Sequence, residues 1–172
     1  MLNQPLKDLI VSRLLAGVQQ PAQYIGGELN MVRKDHRGVR GKLCLAFPDI
    51  YELGMSNFGQ RILYQIVNKR AEFMCDRTYA PVSDLELLMR ERNIPLWGWE
   101  SRRPLDRFEL IGFSLAYELC YTNVLNILEM SGIPIETQHR TAVFPLLFAG
   151  GPATVNPEPM ANFLDFYIIG DG

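Results

Sequence analysis

Leu43-Cys44-Leu45-Ala46-Phe47-Pro48-Asp49-Ile50-Tyr51-Glu52-Leu53-Gly54-Met55-Ser56-Asn57-Phe58-Gly59 is the stretch that decides the fold. It opens on an unbroken apolar run, turns at Pro-Asp, and passes through small polar residues into a helical pattern. That order reads as a first strand, a loop at its carboxyl end and a helix start. The strand is apolar at successive positions rather than alternate ones, the pattern of a parallel strand covered on both faces. In an open parallel sheet, ligands bind in the crevice beyond such strand ends. Two later loops share this character: Gly112-Phe113-Ser114-Leu115 and Ala149-Gly150-Gly151-Pro152.

Outward from this stretch the chain alternates strand and helix. The first strand covers 42–47, and a helix over about 56–70 takes Ser56 as its N-cap. Apolar spacing gives this helix a buried face of Phe58, Ile62, Leu63, Ile66 and Val67. A second strand is expected over 74–80 and a helix over 83–92, with Leu85, Leu88 and Met89 inward. Residues 93–107, with Pro95, Trp97, Gly98, Trp99 and Pro104, read as a loop holding one short extended piece. Strands follow at 110–114, 146–149 and 166–169, with a minor one at 133–135. A helix over about 119–131 stops at Gly132, and a shorter one covers 157–163. Before the sheet, residues 5–16 place Leu6, Leu9, Ile10, Leu14 and Leu15 on one helical face, and 17–39 read as a lead-in arm. The reading therefore divides the chain into an N-terminal helix and arm, 1–39, and an α/β domain, 40–172. The last strand has no covering helix, so the sequence is expected to be a fragment of a longer protein.

The 172 residues fit one domain with a short extension, and a net charge of -2 offers no global attraction to nucleic acid. The basic run Arg33-Lys34-Asp35-His36-Arg37, with Arg40 and Lys42, reads as a solvated loop. Three scattered cysteines, Cys44, Cys75 and Cys120, lack metal-ligand spacing. Their odd number and the lack of a signal-like N-terminus suggest a reducing cytoplasm. No apolar run approaches a membrane span.

Several chemistries fail on motif. No Gly-x-Gly-x-x-Gly follows the first strand, and no Gly-Lys-Ser/Thr appears. His36 and His139 lie in separate loops and read as surface residues. There remain the loop residues. Asp49 orients a ligand group or caps a turn, and Gly54 allows close approach or a positive φ. Ser114 bonds a ligand or caps a helix. Gly150-Gly151 either faces a flat ligand or makes a tight turn.

These loops resemble the cobalamin-binding domain found at the N-terminus of many radical SAM enzymes. Its hallmark is Asp-x-His-x-x-Gly after the first strand, Ser-x-Leu after the third and Gly-Gly after the fourth. This chain carries Asp49-Ile50-Tyr51-Glu52-Leu53-Gly54, Ser114-Leu115-Ala116 and Gly150-Gly151. Longer wording adds to the likeness: Tyr-Ile-Gly-Gly-Glu at 24–28, Pro-Asp-Ile-Tyr-Glu-Leu-Gly-Met-Ser-Asn at 48–57 and Ile-Gly-Phe-Ser-Leu-Ala-Tyr-Glu-Leu at 111–119. Ala-Gly-Gly-Pro-Ala at 149–153, Asn-Pro-Glu-Pro at 156–159 and Ile-Gly-Asp-Gly at 169–172 complete it. Two departures stand out: Tyr51 replaces the ligating histidine, and Leu115 comes one place early.

The resemblance implies a flavodoxin-like (Rossmann-like) doubly wound parallel sheet preceded by the N-terminal helix and arm. It implies cobalamin held by Asp49, Tyr51, Gly54, Ser114, Leu115, Gly150 and Gly151, without a histidine beneath cobalt. A 4Fe-4S cluster and S-adenosylmethionine would belong to a radical SAM barrel downstream in the same polypeptide, so this chain alone is expected to lack turnover. The alternative is a cofactor-free module that packs on that barrel. An isolated phosphoacceptor receiver domain lacks its clustered carboxylates.

Overall fold

The computed structural model describes residue 8 and residues 10–170. Its centre is a five-stranded, all-parallel sheet in the order β2-β1-β3-β4-β5. The strands are β1 (Gly41–Phe47), β2 (Phe73–Tyr79), β3 (Leu110–Ser114), β4 (Leu146–Gly150) and β5 (Phe166–Ile168). This is the flavodoxin-like arrangement expected from the sequence. The helices are α1 (Ala22–Ile25), α2 (Tyr51–Gly54), α3 (Phe58–Asn68), α4 (Ser83–Arg92) and α5 (Tyr121–Met130).

The core lies on one face of the sheet. There Cys44, Ala46, Ile111, Phe113, Leu147 and Ala149 meet Leu85 and Met89 of α4 and Val124, Ile127 and Leu128 of α5, all within 1% of full burial. Ile10, Leu14, Val18 and Tyr24 from the N-terminal segment join the same core. The predicted helix over 5–16 falls partly outside the described residues. Within them, Ile10–Leu14 form one π-helical turn and Leu15–Gly17 a 3-10 turn.

The other face carries α3 above β1 and β2, and here the expected packing is reversed. Gln60, Tyr64 and Asn68 point inward, while Phe58, Ile62, Leu63 and Ile66 are exposed and Val67 is half-buried. The cause is a backbone demand. Gln60 Nε2 donates to Leu45 O at 3.1 Å. The Asn68 amide donates to Cys75 O at 2.9 Å and accepts from Cys75 N at 3.1 Å. Tyr64 Oη accepts from Val32 N at 2.7 Å. Buried backbone groups left unpaired would cost more than exposing a few apolar side chains, so the polar residues take the inner positions.

Beyond Asn68, the outer rim of β2 is covered by the segment after α4. Arg77 N donates to Glu100 Oε2 at 2.7 Å, and Trp99 N donates to Arg77 O at 2.7 Å. Trp97 and Pro104 form the short extended piece as an antiparallel bridge. Other boundaries differ locally. Asn57, not Ser56, caps α3, its Oδ1 accepting from Gln60 N at 2.9 Å, while the Ser56 hydroxyl donates back to Leu53 O of α2 at 2.9 Å. Residues 133–135 form no strand, since Pro134 has no N–H to donate. Residues 157–163 make one 3-10 turn, Glu158–Met160, in place of the expected helix, because the N–H groups of Met160, Ala161 and Phe163 each bond the carbonyl three residues back rather than four.

Candidate functional site

The loops after β1, β3 and β4 meet at the carboxyl edge of the sheet. After β1, Asp49 N closes a turn on Phe47 O at 2.8 Å, and Asp49 Oδ1 accepts from Ile50 N at 2.8 Å. Ala80 N donates to Asp49 O at 2.9 Å, and Asn123 Nδ2 of α5 donates to Pro48 O at 2.9 Å. The loop is thus tied to its neighbours on both sides. Its free oxygen, Asp49 Oδ2, accepts from the Tyr117 hydroxyl of the loop after β3. That bond pushes the exposed Tyr117 phenol up to about 12.

The β3 and β4 ends are interlocked through backbone. Ser114 sits opposite Gly150 in the ladder, and Leu115 N donates to Gly150 O at 2.8 Å. Leu115 O accepts from Ala153 N at 3.0 Å, while the Leu115 side chain is buried in the core. Gly151 has φ 111°, and a Cβ there would lie 2.7 Å from Leu115 O. Both facts require glycine. Gly150 is roomier: a Cβ would find its nearest neighbours at 3.8 and 3.9 Å, both on Ile168. Asp49, Ser114, Leu115, Gly150 and Gly151 therefore gather at one edge.

Tyr51 and Gly54 do not join them. Tyr51 turns toward β2, where its hydroxyl donates to Glu28 Oε1 at 2.8 Å and its ring meets Tyr79 edge-on at 5.3 Å. Burial, then the Glu28 carboxylate, push the phenol well above its ordinary value. Gly54 is buried, and a Cβ there would stand 2.4 Å from Tyr79 Cδ1. Its lack of a side chain lets α2 seat on the Tyr79 ring.

Behind Tyr51 lies a charged cluster that motif reading does not anticipate. The Arg77 guanidinium bonds Glu28 Oε2 and Glu100 Oε1, both at 2.7 Å, and lies 4.7 Å from the Tyr64 ring centroid. Burial pushes the Glu100 carboxyl up to about 7, against the pull of Arg77. Burial also raises Asp76, opposed by bonds from Ser101 N and Oγ. The available signal was Asp76-Arg77, a charged pair set inside an otherwise buried strand. This cluster sews the arm, β2 and the segment after α4 together.

Two cavities, of about 280 and 220 Å³, open elsewhere. The first lies among Gln19, Gln23, Glu52 and Asp84, the second among Arg33, His36, Asp76 and Arg102. Neither is lined by the seven residues singled out from the sequence. Cys44 and Cys75 point to opposite faces of adjacent strands, and burial raises both thiols. No group of three or more His, Cys, Asp or Glu among the described residues could hold a metal ion.

A family model described as radical SAM proteins, N-terminal, matches residues 59–172. No curated protein and no solved structure matches the chain. The matched span includes Ser114, Gly150 and Gly151 and begins after Asp49, Tyr51 and Gly54.

Proposed function

The chain belongs to the N-terminal regions of radical SAM proteins, and we propose that it serves there as an accessory α/β domain holding cobalamin at the carboxyl edge of its sheet. The observation that carries this reading is the convergence of Asp49, Ser114 and Gly150-Gly151 from three separate loops on one edge. Small residues and exposed backbone at such an edge suit a broad, flat ligand approached mainly by shape.

The residues fit cobalamin in part. Ser114, Gly150 and the Asp49–Tyr117 pair would contact it, and when bound it would supply a reactive cobalt centre to the linked catalytic domain. Tyr51 is no axial ligand in this reading: its phenol is spent on Glu28 and held in the neutral form. Gly54 and Leu115 act through packing and backbone. A 4Fe-4S cluster does not fit these cysteines, since Cys44 and Cys75 lie on opposite faces of the sheet and Cys120 lies beyond β3. In this proposal the cluster and S-adenosylmethionine belong to the catalytic barrel of the same polypeptide.

Titrating the full-length protein with hydroxocobalamin and following the visible spectrum tests the proposal. Binding is expected without the spectrum of an imidazole-ligated cobalt, and Gly150→Leu should weaken it. A histidine-ligated spectrum would refute the binding mode. No binding by the folded protein would leave the second reading, a cofactor-free module, which the Tyr117 hydroxyl on Asp49 and the commitment of Tyr51 to Glu28 favour.

A further inference from the structure

The cavity of about 220 Å³ lies between the arm, β2 and the segment after α4. Its charged or titratable walls are Arg33, Lys34, His36, Asp76, Glu100 and Arg102. Most of these are already committed. Lys34 Nζ donates to Arg70 O and Phe73 O at 2.6 and 2.7 Å. His36 Nδ1 lies 3.2 Å from Met74 Sδ. Both Glu100 oxygens accept from Arg77, and Asp76 Oδ2 accepts from Ser101 N and Oγ.

Arg102 is different. Its Nη1 is sealed from solvent, yet it has no hydrogen-bond partner among the described residues. Burial pushes the guanidinium below its ordinary value; Glu100 and Asp76 oppose that shift and the charge of Arg33 adds to it. The backbone is strained at the same residue, with φ 61° where a long side chain is uncommon. An arginine cannot shed its charge, so a buried guanidinium without a partner is costly. Strain and a missing partner on one cavity-lining residue point to a ligand.

The arm is shaped to leave that group in place. Gly26 has φ 71°, and a Cβ there would stand 2.9 Å from Arg102 Nη2 and 3.3 Å from Trp99 O. Glycine lets the arm pass over the guanidinium two residues before Glu28 reaches Arg77. The Tyr24-Ile25-Gly26-Gly27-Glu28 stretch thereby forms one wall of the cavity.

Charge, shape and size select the class of ligand. The planar guanidinium fork matches the two oxygens of a carboxylate. Asp76 and Glu100 stay in the walls, so a multiply charged phosphate would meet repulsion there. Ile25, Val32 and Met74 add apolar surface, and the volume is below the roughly 300 Å³ at which sites for drug-sized ligands begin.

We infer that this cavity binds a small monocarboxylate, its oxygens on the Arg102 guanidinium and its short apolar tail against Ile25, Val32 and Met74. The site shares no residue with the sheet edge assigned to cobalamin, so the two readings stand or fall separately.

Saturation-transfer NMR on the full-length protein, with butyrate as the probe, tests it. Butyrate protons should give a saturable signal that butylamine lacks and that inorganic phosphate at matched ionic strength does not displace. Arg102→Gly removes the guanidinium and suits the left-handed backbone, and it should weaken butyrate at least about tenfold. Far-ultraviolet circular dichroism checks that this variant is folded. Arg102→Lys keeps the stem and the charge without the fork, and should also lose affinity. No saturable signal, or equal binding by the parent and the folded glycine variant, would overturn the inference. Displacement by phosphate would overturn the assigned class. If the glycine variant does not fold, undiminished binding by the lysine variant would overturn it instead.

Discussion

Replacing Gly54 with alanine separates a packing role from a ligand-facing one. A Cβ at this position would lie 2.4 and 2.5 Å from Tyr79 Cδ1 and Cε1 and 3.1 Å from Phe47 Cβ. Ordinary carbon contacts are about 3.5–4.0 Å, so the ring would have to retreat by about 1 Å. Tyr79 is fully buried and meets both Tyr51 and Trp99 edge-on at 5.3 Å, so that movement is opposed on two sides. Overpacking of this kind costs about 1–3 kcal/mol. Gly54 is helical with no positive φ, so alanine returns up to about 1 kcal/mol through propensity. The net loss of about 1–2 kcal/mol corresponds to a Tm lower by roughly 2–8 °C for a domain of this size. Gly150→Ala, with neighbours no nearer than 3.8 Å, should leave Tm almost unchanged. Thermal denaturation of both variants decides. A Gly54→Ala protein as stable as its parent would refute the packing argument. A changed cobalamin affinity at unchanged Tm would return Gly54 to the ligand site.

Arg77→Met should be among the most damaging substitutions in the chain, because Glu100 is left buried without its partner at a cost of about 3–5 kcal/mol; chemical denaturation against Glu28→Gln, whose carboxylate is more exposed, checks the ranking. The Glu100 carboxyl stands at about 7 in the fold, above the ordinary 4.5. Between those values the folded state holds more protons than the unfolded, so this group's contribution falls as pH rises through the window. The pH dependence of stability should flatten there in Glu100→Gln, and an unchanged slope would contradict the assignment. Tyr117→Phe removes one exposed hydrogen bond from Asp49, so stability should fall by no more than about 1.5 kcal/mol, while one of the two tyrosine titrations pushed up to about 12, those of Tyr117 and Tyr167, is lost from the ultraviolet spectrum.

Strand β1 was legible because it is an apolar run that is buried whichever way its side chains point, whereas β2 carries Asp76 and Arg77 and β5 is half-exposed. Cys44 and Leu45 alternate between faces and both end up buried. The α3 helix was legible as a helix but not in its orientation. Phe58, Ile62 and Ile66 form a true apolar stripe, yet Asn68 and Gln60 are drawn inward by strand backbone that local periodicity does not reveal. The candidate edge was partly legible. Ser114 and Gly150 are brought together by ladder register, which follows directly from strand order. The contact Tyr51 makes was not legible, because its partner Glu28 lies 23 residues earlier in an arm whose sequence signals only a turn. The same holds for Arg77 and Glu100, joined across 23 residues. Long-range pairing of charges leaves no spacing pattern to read.

The covering of β2 by Asn68, Glu100 and Trp99 has a consequence for how copies of this domain can associate. A sheet with two bare edges is divalent: each added strand exposes another, and growth has no stopping point. Here one rim is sealed by side-chain and backbone partners, and the other, the three-residue β5, carries no comparable covering among the described residues. Among the described residues the sheet is monovalent for strand addition. Two copies meeting through β5 would exhaust each other's free rim and close as a pair related by a two-fold axis, with nothing left to extend a filament.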